Sequence, residues 1–124
     1  GNSGNPYLLL KEEQGPCCIK RYGDLKAGSA VAVEASVRVF PFDTTGTGSL
    51  ALEIIQEHGH LVYARYCSGS LPGSLKPRRW DTVTVSGIIR SVDAGDILKV
   101  CIRNPQKKTV GIDDLAVSYR TVWP

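Results

Sequence analysis

Apolar and polar residues alternate along most of this chain. That is the period of strands whose successive side chains point to opposite faces. Ser29 to Phe40 shows it best: Val31, Val33, Ala35, Val37 and Val39 fall on one face, and Ala32, Glu34, Ser36, Arg38 and Phe40 on the other. The first row is expected to pack a core, and Glu34 and Arg38 are expected to reach water or each other. Ser49 to Glu57 sets Leu50, Leu52 and Ile54 inward and Ala51, Glu53 and Ile55 outward. His60 to Cys67 alternates Leu61, Tyr63 and Arg65 against Val62, Ala64 and Tyr66. The stretch from Trp80 to Ile89 is rich in Thr and Val, which suits a strand. Leu98, Val100 and Ile102 form a further inward row, with Lys99, Cys101 and Arg103 outward. A last strand is expected from about Thr109 to Val122, with Leu115, Val117 and Tyr119 on one face. Two weaker strands precede these, around Tyr7 to Lys11 and Cys17 to Arg21.

The gaps carry turn chemistry. Glu57-His58-Gly59-His60 reads as a hairpin turn, with Gly59 free to take a positive φ. Asp43 to Gly48 and Cys67 to Arg79 read as loops, and Asp93 to Asp96 and Asn104 to Lys108 as tight connections. No stretch has a helical period. Eight short strands at this spacing predict an all-β fold, a two-sheet antiparallel β-sandwich of jelly-roll type. The length of 124 residues suits one such domain, 1–124.

Composition narrows the function classes. Hydrophobic residues at 42% and charged residues at 22% describe an ordinary globular domain. No apolar run approaches the length of a membrane-spanning helix, so no membrane insertion is expected. A net charge of +3 is too small to argue for nucleic acid. The chain contains no Met, so it is expected to be a processed form or a piece of a longer protein.

Catalytic and metal motifs are sparse. There is no Cys-x-x-Cys, no Gly-x-Ser-x-Gly and no His-Glu-x-x-His. Cys17 and Cys18 are adjacent, so on a strand they point to opposite faces. The four cysteines are expected as reduced, small apolar residues, with disulfides in an exported protein as the alternative. His58 and His60 straddle the turn without a third ligand nearby and read as turn polarity. Glu34 and Glu53 are candidate paired carboxylates if they lie on neighbouring strands of one sheet, as a glycosidase needs at about 5–9.5 Å. Each has a basic neighbour in reach (Arg38, Arg65), and ion-paired carboxylates make poor general acids. A non-catalytic domain is the expectation.

The outward face offers more. If Glu34, Arg38, Glu53, Tyr63, Arg65, Lys99 and Arg103 share one sheet, they form a charged surface with Tyr63 as an aromatic platform. Carboxylates and guanidinium groups hold sugar hydroxyls in fixed geometry, and an aromatic ring covers the C–H face of a sugar. The alternative is a cross-strand salt-bridge lattice. Trp80 has two readings: a cover for the sandwich edge or, with Arg78 and Arg79 before it, the mark of a loop-borne anionic site. Trp123 is either a core plug or an exposed anchor. Asp113-Asp114 interrupts an apolar strand, so one of the pair is expected to turn outward at a bulge.

Several stretches carry a resemblance to a known family. Leu25-Lys26-Ala27-Gly28-Ser29 leads into the long Val strand. Trp80-Asp81-Thr82-Val83-Thr84-Val85-Ser86-Gly87 has the form of a tryptophan-led strand. Asp96 to Pro105 and Val110-Gly111-Ile112-Asp113-Asp114-Leu115-Ala116-Val117 follow. From residue 25 onward this order resembles the carbohydrate-binding modules of families 4, 9 and 22, in the galactose-binding-like jelly-roll superfamily. The resemblance implies a non-catalytic module that recognises a glycan or polysaccharide, secreted or at the cell surface. It also implies linkage to further domains of an exported enzyme or surface protein. Glu34, Arg38, Glu53, Tyr63, Arg65, Arg79, Trp80 and Arg103 are the expected ligand-binding residues. One structural calcium ion is implied at Asp114, where six to eight oxygen ligands would be needed. The alternative function is a structural or adhesive jelly roll of a phage particle or cell-surface assembly.

Overall fold

The computed structural model describes residues 7–42, 50–58, 61–69 (main chain only) and 75–123. Eight strands appear where alternation predicts them: β1 (Leu8–Leu10), β2 (Gln14–Arg21), β3 (Ser29–Pro41), β4 (Ala51–His58), β5 (Leu61–Gly69), β6 (Asp81–Val92), β7 (Asp96–Arg103) and β8 (Val110–Trp123). No helix of the described residues is long and apolar enough to cross a membrane.

The strands form two four-stranded antiparallel sheets. Sheet I has the order β1-β8-β3-β6 and sheet II the order β2-β7-β4-β5. Strand pairs are nested: β1 with β8, β2 with β7, β3 with β6 and β4 with β5. That nesting is the winding of a jelly roll, and it sends the consecutive strands β3 and β4 into opposite sheets.

The core lies between the inner faces. Val31, Val33, Val37 and Val39 of β3 meet Leu52 and Ile54 of β4 and Leu98, Val100 and Ile102 of β7, all almost fully buried. Val83, Val85 and Ile89 of β6 close the sheet I side. Burying each such side chain contributes about 1.5–3 kcal/mol. Leu115, Val117 and Tyr119 share one face of β8, as alternation predicts, and are half-buried against this core.

Polar anchors hold the ends. The Tyr119 hydroxyl donates to the Cys18 carbonyl at 3.0 Å, joining the two sheets. Burial, then that hydrogen bond, pushes the Tyr119 phenol well above its ordinary pKa. At one end Asp96 is fully buried. It accepts from Gln56 Nε2 and from the Asp93 amide, each at 3.0 Å, and pairs with His58 Nδ1. At the other end Asn104 Nδ2 donates to the carbonyls of Glu12 and Lys108, at 3.1 and 2.8 Å.

The cysteines depart from the sequence expectation. Cys17 and Cys101 face each other across β2 and β7 and form a disulfide, with a Cα–Cα distance of 4.1 Å and a sequence separation of 84. Such close approach belongs to directly opposed residues on antiparallel strands. Cys17 and Cys18 do occupy opposite faces, and that leaves Cys17 free to pair where Cys18 does not. Cys18 is a half-buried free thiol. The expected turn at Gly59 and the expected loop at Asp43 to Gly48 lie outside the described residues. Of the expected Cys67 to Arg79 loop, residues 67–69 belong instead to β5, and residues 70–74 lie outside the described residues.

Candidate functional site

The outer face of sheet I is built from three strands in register. Ser86 of β6, Glu34 of β3 and Ser118 of β8 form one row, and Thr84, Ser36 and Ala116 form the next. Directly opposed residues of antiparallel strands point to the same side. All six are short or flexible, so this face holds an open groove of about 500 Å³. Hydroxyls and the exposed Glu34 carboxylate supply donors and acceptors along its floor.

One step further along β3 the character changes. Arg38 lies opposite Thr82 on β6 and Asp113 on β8. Its guanidinium sits 5.3 Å from the centroid of the Trp80 ring and 4.0 Å from the Asp114 carboxylate. The Trp80 ring also packs against Phe40 at 5.4 Å and edge-on against Tyr7 at 5.5 Å. Tyr7 reaches this place because β8 has Gly111 there: a Cβ on Gly111 would stand 3.1 Å from the Tyr7 ring. An aromatic cluster thus closes one end of the groove.

The opposite end carries the second tryptophan. Trp123 pairs with Ala30 of β3, which places it on the same outer face, and it is 69% exposed. Ala30 to Phe40 spans about 33 Å at the usual strand rise. The groove of small polar residues lies between these two ends and is separated from Trp123 by the row of Ile88, Ala32 and Arg120. Of the two sequence readings of Trp123, the exposed one holds.

The bulge expected at Asp113-Asp114 is present. The register slips between Ser36 and Arg38, and Asp114 takes a φ of 54°. Asp113 Oδ1 accepts from the Asp114 amide at 2.9 Å, while Asp114 is exposed and faces Arg38. No group of three His, Cys, Asp or Glu gathers among the described residues. A cation beside Asp114 would also meet the Arg38 guanidinium. These surroundings do not fit a calcium site at Asp114.

The expected seven-residue surface is divided by the fold. Glu34 and Arg38 lie on sheet I; Glu53, Lys99 and Arg103 lie on sheet II, whose outer face points the other way. Glu34 and Glu53 therefore stand on opposite sides of the sandwich and cannot act on one bond. Glu53 does point away from the core, but it is only 7% exposed. It sits on a central strand beside Cys101, with Arg103 Nη1 at 3.7 Å from its carboxylate. Lys99 pairs with Glu57 at 3.0 Å. On sheet II the salt-bridge reading of these charges holds.

Tyr63 and Arg65 lie on β5, the edge strand of sheet II. Arg65 falls opposite Ile55, and Tyr63 falls at the register shift between Gln56 and Glu57. Their side chains lie outside the described residues. β5 does not border β3, so neither residue joins the groove of sheet I.

Arg79 and Trp80 are brought together in a second recess, of about 280 Å³, with Lys76 and Asp81. Trp80 is the wall it shares with the aromatic end of the groove. Sequence reasoning missed Phe40, Ser36, Ser86, Ser118 and Lys76. Phe40 was legible, since it continues the Glu34-Ser36-Arg38 row. The serines become a site only through the pairing of β3 with β6 and β8. No known protein family, curated protein or solved structure matches this chain.

Proposed function

We propose that this chain is a non-catalytic carbohydrate-binding domain whose glycan lies along the outer face of sheet I. The observation that carries this reading is the groove floored by Ser36, Ser86, Ser118, Thr84 and Glu34, on a face that carries Trp80 at one end and Trp123 at the other. Hydroxyl, carboxylate and guanidinium groups complement sugar hydroxyls, and tryptophan rings complement the C–H faces of sugar rings. The ligand-binding residues are Glu34, Arg38 and Trp80, with Ser36, Ser86, Ser118, Phe40 and Trp123. Glu53, Arg103, Tyr63 and Arg65 belong to the other sheet and are left out.

The domain acts outside the reducing cytosol, as a secreted or cell-surface module joined to further domains. The Cys17–Cys101 disulfide supports that placement, since such bridges persist in oxidising compartments. Retention on affinity gels of plant, algal, microbial and host polysaccharides tests the reading. Selective retention by one glycan class is expected. No retention on any of them, together with a stable ring or trimer in solution, would favour a structural or adhesive jelly roll instead.

A further inference from the structure

Resting on the glycan reading above, we propose that the ligand carries an anionic group, a carboxylate or a sulfate ester, seated against Lys76 and Arg79 beside the Trp80 ring. The recess is lined by Lys76, Arg79, Trp80 and Asp81. Lys76 and Arg79 are exposed, and neither has an acidic partner among the described residues. Asp81 turns one oxygen back to the Thr82 amide at 2.8 Å, which caps the start of β6. The recess therefore presents two cations against one partly used carboxylate.

Lysine and arginine donate hydrogen bonds and accept none. A neutral sugar needs donors and acceptors in comparable number. Two donor-only cations side by side complement an oxyanion, which also relieves their mutual repulsion. The remaining oxygen of Asp81 is an acceptor for a hydroxyl of the same sugar, and Trp80 offers a ring face. A free inorganic anion would use neither of these. A polynucleotide would need several phosphate contacts beyond the two cations here.

The turn that presents these cations is held in place. The Arg78 amide donates to the Pro41 carbonyl at 2.7 Å, and the Arg78 guanidinium lies 5.6 Å from the Phe42 ring centroid. Arg78 has a φ of 57°, the left-handed region that L-residues disfavour. The turn is thereby pinned to the end of β3, where Phe40 and Arg38 meet Trp80. A chain in the groove that crosses the Trp80 ring arrives at Lys76 and Arg79.

Matched polysaccharide pairs that differ only in charge test this: polygalacturonate against its methyl ester, and dextran sulfate against dextran. The acidic member of at least one pair is expected to bind about tenfold more tightly than its neutral partner. The first pair reports a carboxylate and the second a sulfate. Arg79→Gln and Lys76→Gln should each remove most of that preference. Lys26→Gln removes the same charge from the turn before β3, at the far end of the strand, and should leave the preference intact. If Lys26→Gln weakens binding as much as Arg79→Gln, the effect is net charge and the anion site is overturned. Equal retention of acidic and neutral members overturns the anion site while the glycan reading stands. No retention on any saccharide overturns both.

Discussion

The Arg38 guanidinium lies over the Trp80 ring on the outer side of sheet I, 5.3 Å from its centroid. The contact ties the end of β3 to the turn that leads into β6. It also orients the indole next to the serine-lined groove, with the Asp114 carboxylate 4.0 Å from the same guanidinium. A cation stacked on an aromatic face contributes about 0.5–1 kcal/mol at an exposed site.

Trp80→Ala should therefore cost glycan affinity about tenfold or more, since it removes both the platform and the stack that holds Arg38. The core rows do not include Trp80, so the melting transition should remain cooperative and fall by only a few degrees. Binding and melting measured on the same variant check this. Tyr63→Ala, on the edge strand of sheet II, should leave affinity unchanged.

Gly111→Ala should act on the site from behind. The added methyl would stand 3.1 Å from the Tyr7 ring and 3.3 Å from Phe40 Cβ, so the ring, which packs edge-on against Trp80, must give by a few tenths of an ångström. The expected signature is a shift in tryptophan fluorescence with weaker glycan binding. An unchanged spectrum would mean that Tyr7 does not support the indole.

The inner rows were legible because burial of one sheet face enforces strict alternation, and Val31 to Val39 and Leu98 to Ile102 keep it without a break. The pairing of strands was not legible. Cys17 and Cys101 are brought together only by the nested order of the jelly roll, and so are Ser36, Ser86 and Ser118. Alternation also gives direction without giving burial. Glu53 points outward as expected, yet β7 and β5 flank it and leave it almost no solvent. For the same reason a single surface built from β3 and β4 together was a misreading: neighbours in sequence became opposite sides of the molecule.

The disulfide should matter to stability. Closing a loop with a sequence separation of 84 residues restricts the unfolded chain. Chain entropy alone predicts about 4–5 kcal/mol for a loop of that order. Cys101→Ala, or a reducing agent, should lower the denaturation midpoint markedly. An identical midpoint with and without reductant would contradict a formed bridge.

Acid should loosen the end of the sandwich that Asp96 anchors. Burial alone would raise this carboxyl. The hydrogen bonds from the Asp93 amide, His58 and Gln56 outweigh burial and hold its pKa below the ordinary value. A depressed folded pKa means that the stabilisation is present above the unfolded value of ~4 and is lost as pH falls through the folded one. Denaturation midpoints should therefore drop below about pH 4. Asp96→Asn should be less stable at neutral pH and show a shallower acid dependence. Parallel curves for the two proteins would assign the acid loss to other groups.

The location of the ligand is most directly tested by amide and indole NMR shifts recorded while the best-retained glycan is titrated in. The account predicts that perturbations concentrate on Glu34, Ser36, Ser86, Ser118 and the Trp80 indole, with Lys99, Cys101 and Arg103 unmoved. Shifts confined to β4 and β7 of sheet II would contradict it.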